Sequence, residues 1–317
     1  MHFKRKYQGS ASLHFSHKGY GRLMVLALFR LLAWIPLPIL HGIGRFAGQA
    51  VYAWPGRYRR RLQANARQAG YTDPHFARKS AAETGAMIFE TAKVWLRTDE
   101  CLRTTQSDDD DVVRQALAEG RGILYLTPHL GCFEITARYL IQHGPITVMY
   151  RPPRMAFLEP VMEQARNMSG LKAVPATMQG VREFVRALKR GEAVGMLPDQ
   201  VPGGGDGAWA PFFGKPAYTM TLAGKLAMQT GVAVILTAGE RLPSGKGWRI
   251  HYVRLPEPLP AGVEAQTAAI NHAMEALIRR FPQQYLWSYN RYKIPKEAPP
   301  RPEDFHAEES HPGGTRS

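Results

Sequence analysis

Between Met1 and Thr72 this chain has no Asp or Glu at all, against 12 Lys and Arg. The formal net charge of the 317 residues is +15, so the opening stretch holds 12 of it and the remainder carries only +3. Cysteine is almost missing too. Cys101 and Cys132 form no C-x-x-C and no paired spacing, which excludes a disulfide framework and a cysteine metal cage and suits a reducing compartment. No G-x-S-x-G occurs, so a serine nucleophile of the esterase type has no support. Gly203 to Gly207 is glycine-rich but is not followed by G-K-[ST], which excludes a P-loop. With 44% hydrophobic and 21% charged residues and no internal repeat, disorder, collagen and coiled coil are excluded. What remains is enough apolar material for one large domain or two small ones.

The basic opening stretch is also apolar. Leu23–Phe29 and Leu31–Ile35 are almost wholly hydrophobic, and Pro36, Leu37, Pro38, Ile39 and Leu40 follow. An apolar stretch bracketed by Arg and Lys fits an anionic membrane surface better than a nucleic-acid backbone. As a helix, the 13 residues from Leu23 to Ile35 reach about 20 Å, short of a hydrocarbon core of ~30 Å. Arg30 lies mid-stretch and Pro36 and Pro38 end or kink it. The segment therefore reads as an in-plane or re-entrant anchor, with a kinked single span as the rival. An Arg-rich, acid-poor transit peptide is a further alternative, and no cleavage site for a secretory signal follows.

Beyond Thr72 the pattern alternates. Phe76–Arg97 has helical periodicity, and Asp108–Asp111 reads as the N-terminal cap of a helix over Val112–Glu119 rather than a metal site. Short apolar runs at 123–127, 146–150, 171–174, 193–197, 232–238 and 248–255 predict strands. Helical patterns at 131–142, 158–168, 179–189, 219–229 and 265–281 separate most of them. Strands alternating with helices of this length predict an α/β fold with a mostly parallel central sheet flanked by helices. The final twenty or so residues, rich in Pro, Glu and Gly, read as a disordered tail.

In such sheets ligands bind beyond the carboxyl ends of the strands. Those ends carry four polar clusters: Pro128 to Glu134, Tyr150 to Arg154, Pro198 to Gln200, and Thr237 to Arg241. His129 is a candidate general base, and Glu134, five residues on, is a candidate to accept its Nδ1–H, fix the tautomer and leave Nε2 free. An exposed loop His beside a surface Glu is the plain alternative. Cys132 reads as core filler rather than as a nucleophile, and His129, Cys132 and His143 lack a fourth ligand for zinc.

Taken together, H-x4-E after an apolar strand, Tyr150-Arg151-Pro152-Pro153, Leu197-Pro198-Asp199-Gln200, Pro211 to Pro216 and Thr219 resemble the late acyltransferase family of lipid A biosynthesis, over roughly residues 20 to 295. Asn65, Arg166 with Gly170, Trp287 and Arg291 fit as well. H-x4-E alone indicates only the broader glycerolipid acyltransferase group; the Asp-Gln and Phe-Phe-Gly blocks narrow it. The resemblance implies transfer of a fatty acyl chain from acyl carrier protein to a hydroxyl of a phosphorylated, acylated glucosamine disaccharide. His129 would be the base and Glu134 its orienting partner, with direct attack on the thioester and neither a cofactor nor a metal. Arg151 and Arg154 would hold a phosphate of acceptor or donor, alongside Arg166. Asp199 and Gln200 would face His129 across the cleft to position the acceptor, although Asp199 could equally pair with Arg151. Phe212 and Phe213 would line an acyl groove or pack the core, with Thr219 nearby.

The resemblance implies a bacterial inner-membrane enzyme with its catalytic domain on the cytoplasmic face, and partners that are acyl carrier protein, the glycolipid and the membrane. The chain divides accordingly into a basic extension (1–20), a membrane-anchoring hydrophobic segment (21–48), an α/β acyltransferase domain (49–293) and the tail (294–317). Two rival readings are acylation of another lipid acceptor, such as a lysophospholipid, and a membrane lipid-binding protein without catalysis.

Overall fold

The structure, a computed structural model, describes residues 17–150 and 168–302. Two helices, α1 (His17–Trp34) and α2 (Leu37–Ala53), are separated by the turn at Ile35-Pro36; α3 (Arg57–Gln68), α4 (Pro74–Leu96) and α5 (Thr98–Leu102) follow. Asp73 starts α4 by accepting the His75 N–H at 2.9 Å, with Pro74 at the position that needs no N–H. The body then runs β1 (Thr105–Ser107), α6 (Asp111–Ala118), β2 (Ile123–Leu126), α7 (Phe133–Leu140), β3 (Ile146–Tyr150), β4 (Leu171–Pro175), α8 (Met178–Lys189) and β5 (Ala193–Met196). It continues with β6 (Gly207–Phe212), β7 (Lys215–Met220), α9 (Leu222–Thr230), β8 (Ala233–Arg241), β9 (Trp248–Arg254) and α10 (Val263–Arg280).

Seven strands form one sheet in the order β1-β9-β8-β2-β5-β3-β4, in which only the β8–β9 pair is antiparallel. Both faces are covered, which is why the central strands are apolar without interruption: β2 is buried at all four positions. Leu124, Leu126, Val194 and Met196 enter one core with α8, α9 and α10. Ile123, Tyr125, Ala233 and Ile235 enter the other with α6 and α7.

The α/β expectation holds, with three differences. The glycine- and proline-rich stretch after β5, where the sequence shows no strand pattern, forms the antiparallel hairpin β6–β7. Thr219, expected to open a helix, lies in β7, and the helix starts at Leu222. The expected helix at 158–168 lies almost wholly outside the described residues. Of the expected tail, the residues up to 302 are anchored on the hairpin, where Pro299 O accepts the Trp209 indole N–H at 3.0 Å. The rest of the tail, and the basic extension apart from the start of α1, lie outside the described residues.

Among the described residues no helix is long and apolar enough to cross a membrane. Instead α1 and α2 dock on α4. Lys93 Nζ donates to the carbonyls of Ala33 and Ile35 at 3.1 and 3.3 Å, satisfying the open C-terminal end of α1. Gly44 and Gly48 of α2 meet Ala81 and Gly85 of α4 backbone to backbone: a Cβ on Gly48 would stand 2.1 Å from Ala81 O. The opposite side of this layer is apolar and uncovered, with Trp34, Phe46 and Trp54 each more than 70% exposed beside Met24, Leu28, Leu31, Ile39 and Ile88.

Candidate active site

β2 and β5 are neighbours with Leu126 in register with Met196, so the residues three places beyond each strand, His129 and Asp199, emerge side by side. Asp199 Oδ1 lies 2.7 Å from His129 Nδ1, and Asp199 Oδ2 accepts the His129 backbone N–H at 2.9 Å. Asp199 is almost fully buried. Burial works against its charge, but the imidazole, the backbone N–H and Arg291 behind it outweigh that and hold the carboxyl below the ordinary aspartate range. An ionised carboxylate only accepts, so the proton of the neutral ring sits on Nδ1 and Nε2 carries the lone pair. The Gln200 amide nitrogen lies 3.1 Å from that Nε2.

The loop carrying His129 is clamped along its backbone. Leu286 N–H donates to His129 O at 3.0 Å, Gly131 N–H to Gln284 O at 3.0 Å, and Cys132 N–H to Gly239 O at 2.7 Å. Gly131 has φ 62°, and a Cβ there would stand 2.0 Å from Gly239 O, so this turn requires glycine. Beneath the clamp lies a buried charge network at the end of β8. The Arg241 guanidinium bonds Glu90 and Glu83, Glu90 also accepts from His41 and from the Trp248 indole, and Gln284 accepts the Arg241 N–H at 2.9 Å. Burial disfavours the Glu90 charge, yet Arg241 and His41 bring its pKa down to about 2.

Glu134 does not hold His129. It sits in the first turn of α7, where its carboxylate accepts the Trp95 indole N–H at 2.7 Å and pairs with Arg138 at 3.0 Å. The helix turns Phe133, not Glu134, against the imidazole, with ring centroids 4.9 Å apart. The expected orienting carboxylate is therefore replaced by Asp199, which meets His129 directly instead of facing it across a cleft.

Phe212 and Phe213 pack with Tyr285 and Trp287 in the core and do not border the cleft described below. Thr219 is buried, accepting from Asn271 and Arg291. Arg291 itself is fully buried, sits 4.9 Å over the Phe212 ring, and bonds Tyr218 O, Thr219 and Asn271, all neutral. Burial pushes its pKa down. Cys132 is buried, which pushes its thiol well above the ordinary range and leaves no thiolate for nucleophilic work. Arg151, Arg154 and Arg166 lie outside the described residues. Among the described residues no three His, Cys, Asp or Glu side chains stand close enough to share a metal ion.

The sequence offered no local sign of the Glu90–Arg241 network or of the Gln284 clamp, because bonded members lie up to 158 residues apart. Next to the His129 loop, between α7 and strands β2, β5 and β3, runs a narrow cleft of about 120 Å³. Thr127, Phe133, Glu134 and Leu197 border its upper part, and Ile146, Leu171 and Leu140 its lower part.

Residues 10–294 match the sequence profile described as bacterial lipid A biosynthesis acyltransferase. The chain is 27% identical over 295 residues to a lipid A biosynthesis palmitoleoyltransferase of Escherichia coli K12, covering 89% of this chain and 94% of the relative. It is 28% identical over 226 residues to the lipid A biosynthesis lauroyltransferase of the same organism, covering 70% and 73%. A lipid A biosynthesis acyltransferase of Haemophilus influenzae is 24% identical over 267 residues, covering 81% and 82%.

Proposed function

The chain belongs to the bacterial lipid A biosynthesis acyltransferase family, and from that premise we propose that His129 is the general base of an acyl transfer from acyl carrier protein to a hydroxyl of a lipid A precursor. The observation that carries this reading is the His129–Asp199 pair at 2.7 Å, which leaves the Nε2 lone pair beside the Gln200 amide. The acceptor hydroxyl gives its proton to Nε2 while its oxygen attacks the thioester carbonyl carbon. Asp199 stabilises the imidazolium that forms. The tetrahedral intermediate collapses, the C–S bond breaks, and Nε2 returns the proton to the departing sulfur. The Gln200 amide gives up Nε2 to the hydroxyl on binding and is then placed to donate to the developing oxyanion. Glu134 acts indirectly, by fixing the first turn of α7 and with it Phe133 against the imidazole. Arg151, Arg154 and Arg166 supply the phosphate contacts, which the planar guanidinium fork suits.

The exposed face of α1, α2 and α4 is the membrane-seating surface. Met24, Leu28, Leu31 and Trp34 recur at helical spacing along α1, with Arg30 exposed among them and Arg57 and Arg60 exposed on the following α3, charges that suit in-plane binding to an anionic leaflet. We place this surface on the cytoplasmic side of the inner membrane, where an acidic carrier protein can reach the cleft.

The test is a radiolabelled acyl-transfer assay on membranes holding wild type or His129→Ala, given acyl carrier protein thioesters and a tetra-acylated precursor. A more hydrophobic lipid product from wild type alone supports the reaction and the base. Acylation of a lysophospholipid instead keeps the chemistry and overturns the acceptor. Lipid binding without turnover on any acceptor overturns the catalytic reading.

A further inference from the structure

The cleft beside His129 exists because one strand residue has no side chain. On the face of the sheet covered by α7, Tyr125 of β2 and Val148 of β3 are both in register with Gly195 of β5 between them. A row of apolar side chains therefore crosses three strands with a gap at its centre. One row lower, Ile123, Ala193 and Ile146 close the gap, with Leu171 and Leu140 completing the blind end around Ile146. The slot opens upward at Thr127 and Leu197, each two residues short of His129 and Asp199, and Phe133 is shared by its wall and the His129 ring. The charged groups on the helix wall are paired with each other: Arg138 bonds Glu134, which is capped by Trp95.

We infer that this slot receives the acyl chain being transferred, and that Gly195, with the floor at Ile146, sets its length. The inference rests on the acyl-transfer reading. A chain whose carbonyl lies at His129 Nε2 must leave the reacting centre by an apolar route, and the slot begins within one side chain of that point. From Leu197 to Ala193 the strand descends about 13 Å at ~3.3 Å per residue. A fully extended acyl chain advances at least ~1.2 Å per bond, so the slot takes on the order of ten carbons. A Cβ on Gly195 would stand 3.3 Å from Val148 Cγ1 and 3.4 Å from Ile146 Cδ1, tight but relieved by those side-chain ends, so the position tolerates a side chain at the expense of the slot.

The experiment measures kcat/KM for a ladder of even-numbered saturated acyl thioesters with wild type, Gly195→Val and Ile146→Ala, at one fixed acceptor and then with acceptors of differing chain length. Gly195→Val fills the slot and lowers the long-to-short ratio at least tenfold, the scale of one methylene in an apolar pocket. Ile146→Ala lowers the floor and moves the optimum to longer donors. Should Gly195→Val not fold, Gly195→Ala shows a smaller shift in the same direction. An unchanged donor profile in folded variants overturns the inference, as does a shift that follows the acceptor's chains and not the donor's. A wild type that transfers no chain at all overturns the acyl-transfer reading beneath it, an outcome distinct from the other two.

Discussion

Asp199→Asn exchanges one oxygen for an amide nitrogen and keeps the volume, so its effect isolates what the carboxylate does. Both oxygens are engaged: one takes the His129 ring N–H, the other the His129 backbone N–H. An asparagine can accept with only one end. If its oxygen stays on the ring, its NH2 faces the backbone N–H donor to donor. If it flips, its NH2 meets Nδ1, the ring proton moves to Nε2, and the base is lost. A buried N–H without an acceptor costs about 1–3 kcal/mol, and a hydrogen bond to a charged partner contributes about 1.5–3 kcal/mol. Only the second is specific to the transition state, so kcat falls about 10–10²-fold, while the first shows as lost stability. KM should stay within a few-fold, because neither group binds the acyl chain. Steady-state acyl transfer with saturating thioester reads this directly, with thermal unfolding as the control for folding. A variant that keeps more than a tenth of wild-type kcat would refute the reasoning.

Three further outcomes follow from the same geometry. Cys132→Ala should retain transfer within a few-fold and show no acyl-protein adduct by mass spectrometry, since the buried thiol is held protonated; an adduct on Cys132 in wild type would contradict this. Glu90 has a folded pKa of about 2 against an ordinary 4.5, so its contribution is present in full above pH ~4.5 and drains away as pH falls toward 2. That contribution is at most ~3 kcal/mol at ~1.4 kcal/mol per unit, and denaturant unfolding of wild type and Glu90→Gln should converge over that interval. Changing Trp34, Phe46 and Trp54 to Ser should weaken partition into anionic vesicles by roughly tenfold per residue, at about 1.5 kcal/mol each, with the melting temperature unchanged because all three already face outward.

The strands of the central sheet were readable because both faces are buried, leaving short apolar runs at 123–126 and 193–196 that no surface helix would show. The hairpin β6–β7 was not, since Pro211, Gly214 and Pro216 are strong breakers and only cross-strand pairing overrides them. His129 was legible as a residue, but its partner was not. The Glu134 spacing is local and invites attention, whereas Asp199 lies 70 residues away and reaches His129 only because β2 and β5 adjoin in one register. For Phe212 and Phe213 the sequence left a groove and core packing equally open, and the hairpin carries both rings into the core.

The crossing of α2 on α4 has a mechanical consequence. At Gly44, Gly48 and Gly85 the two backbones touch with no side chains between them, so there is no compressible cushion to absorb a shear. His41 of α2 and Glu90 of α4 bond each other, Glu90 grips Arg241, and the Gln284 clamp ties Arg241 to Gly131 beside His129. A sideways load on the outer face of α2 is thus passed to the His129 loop through direct backbone contact and charged hydrogen bonds.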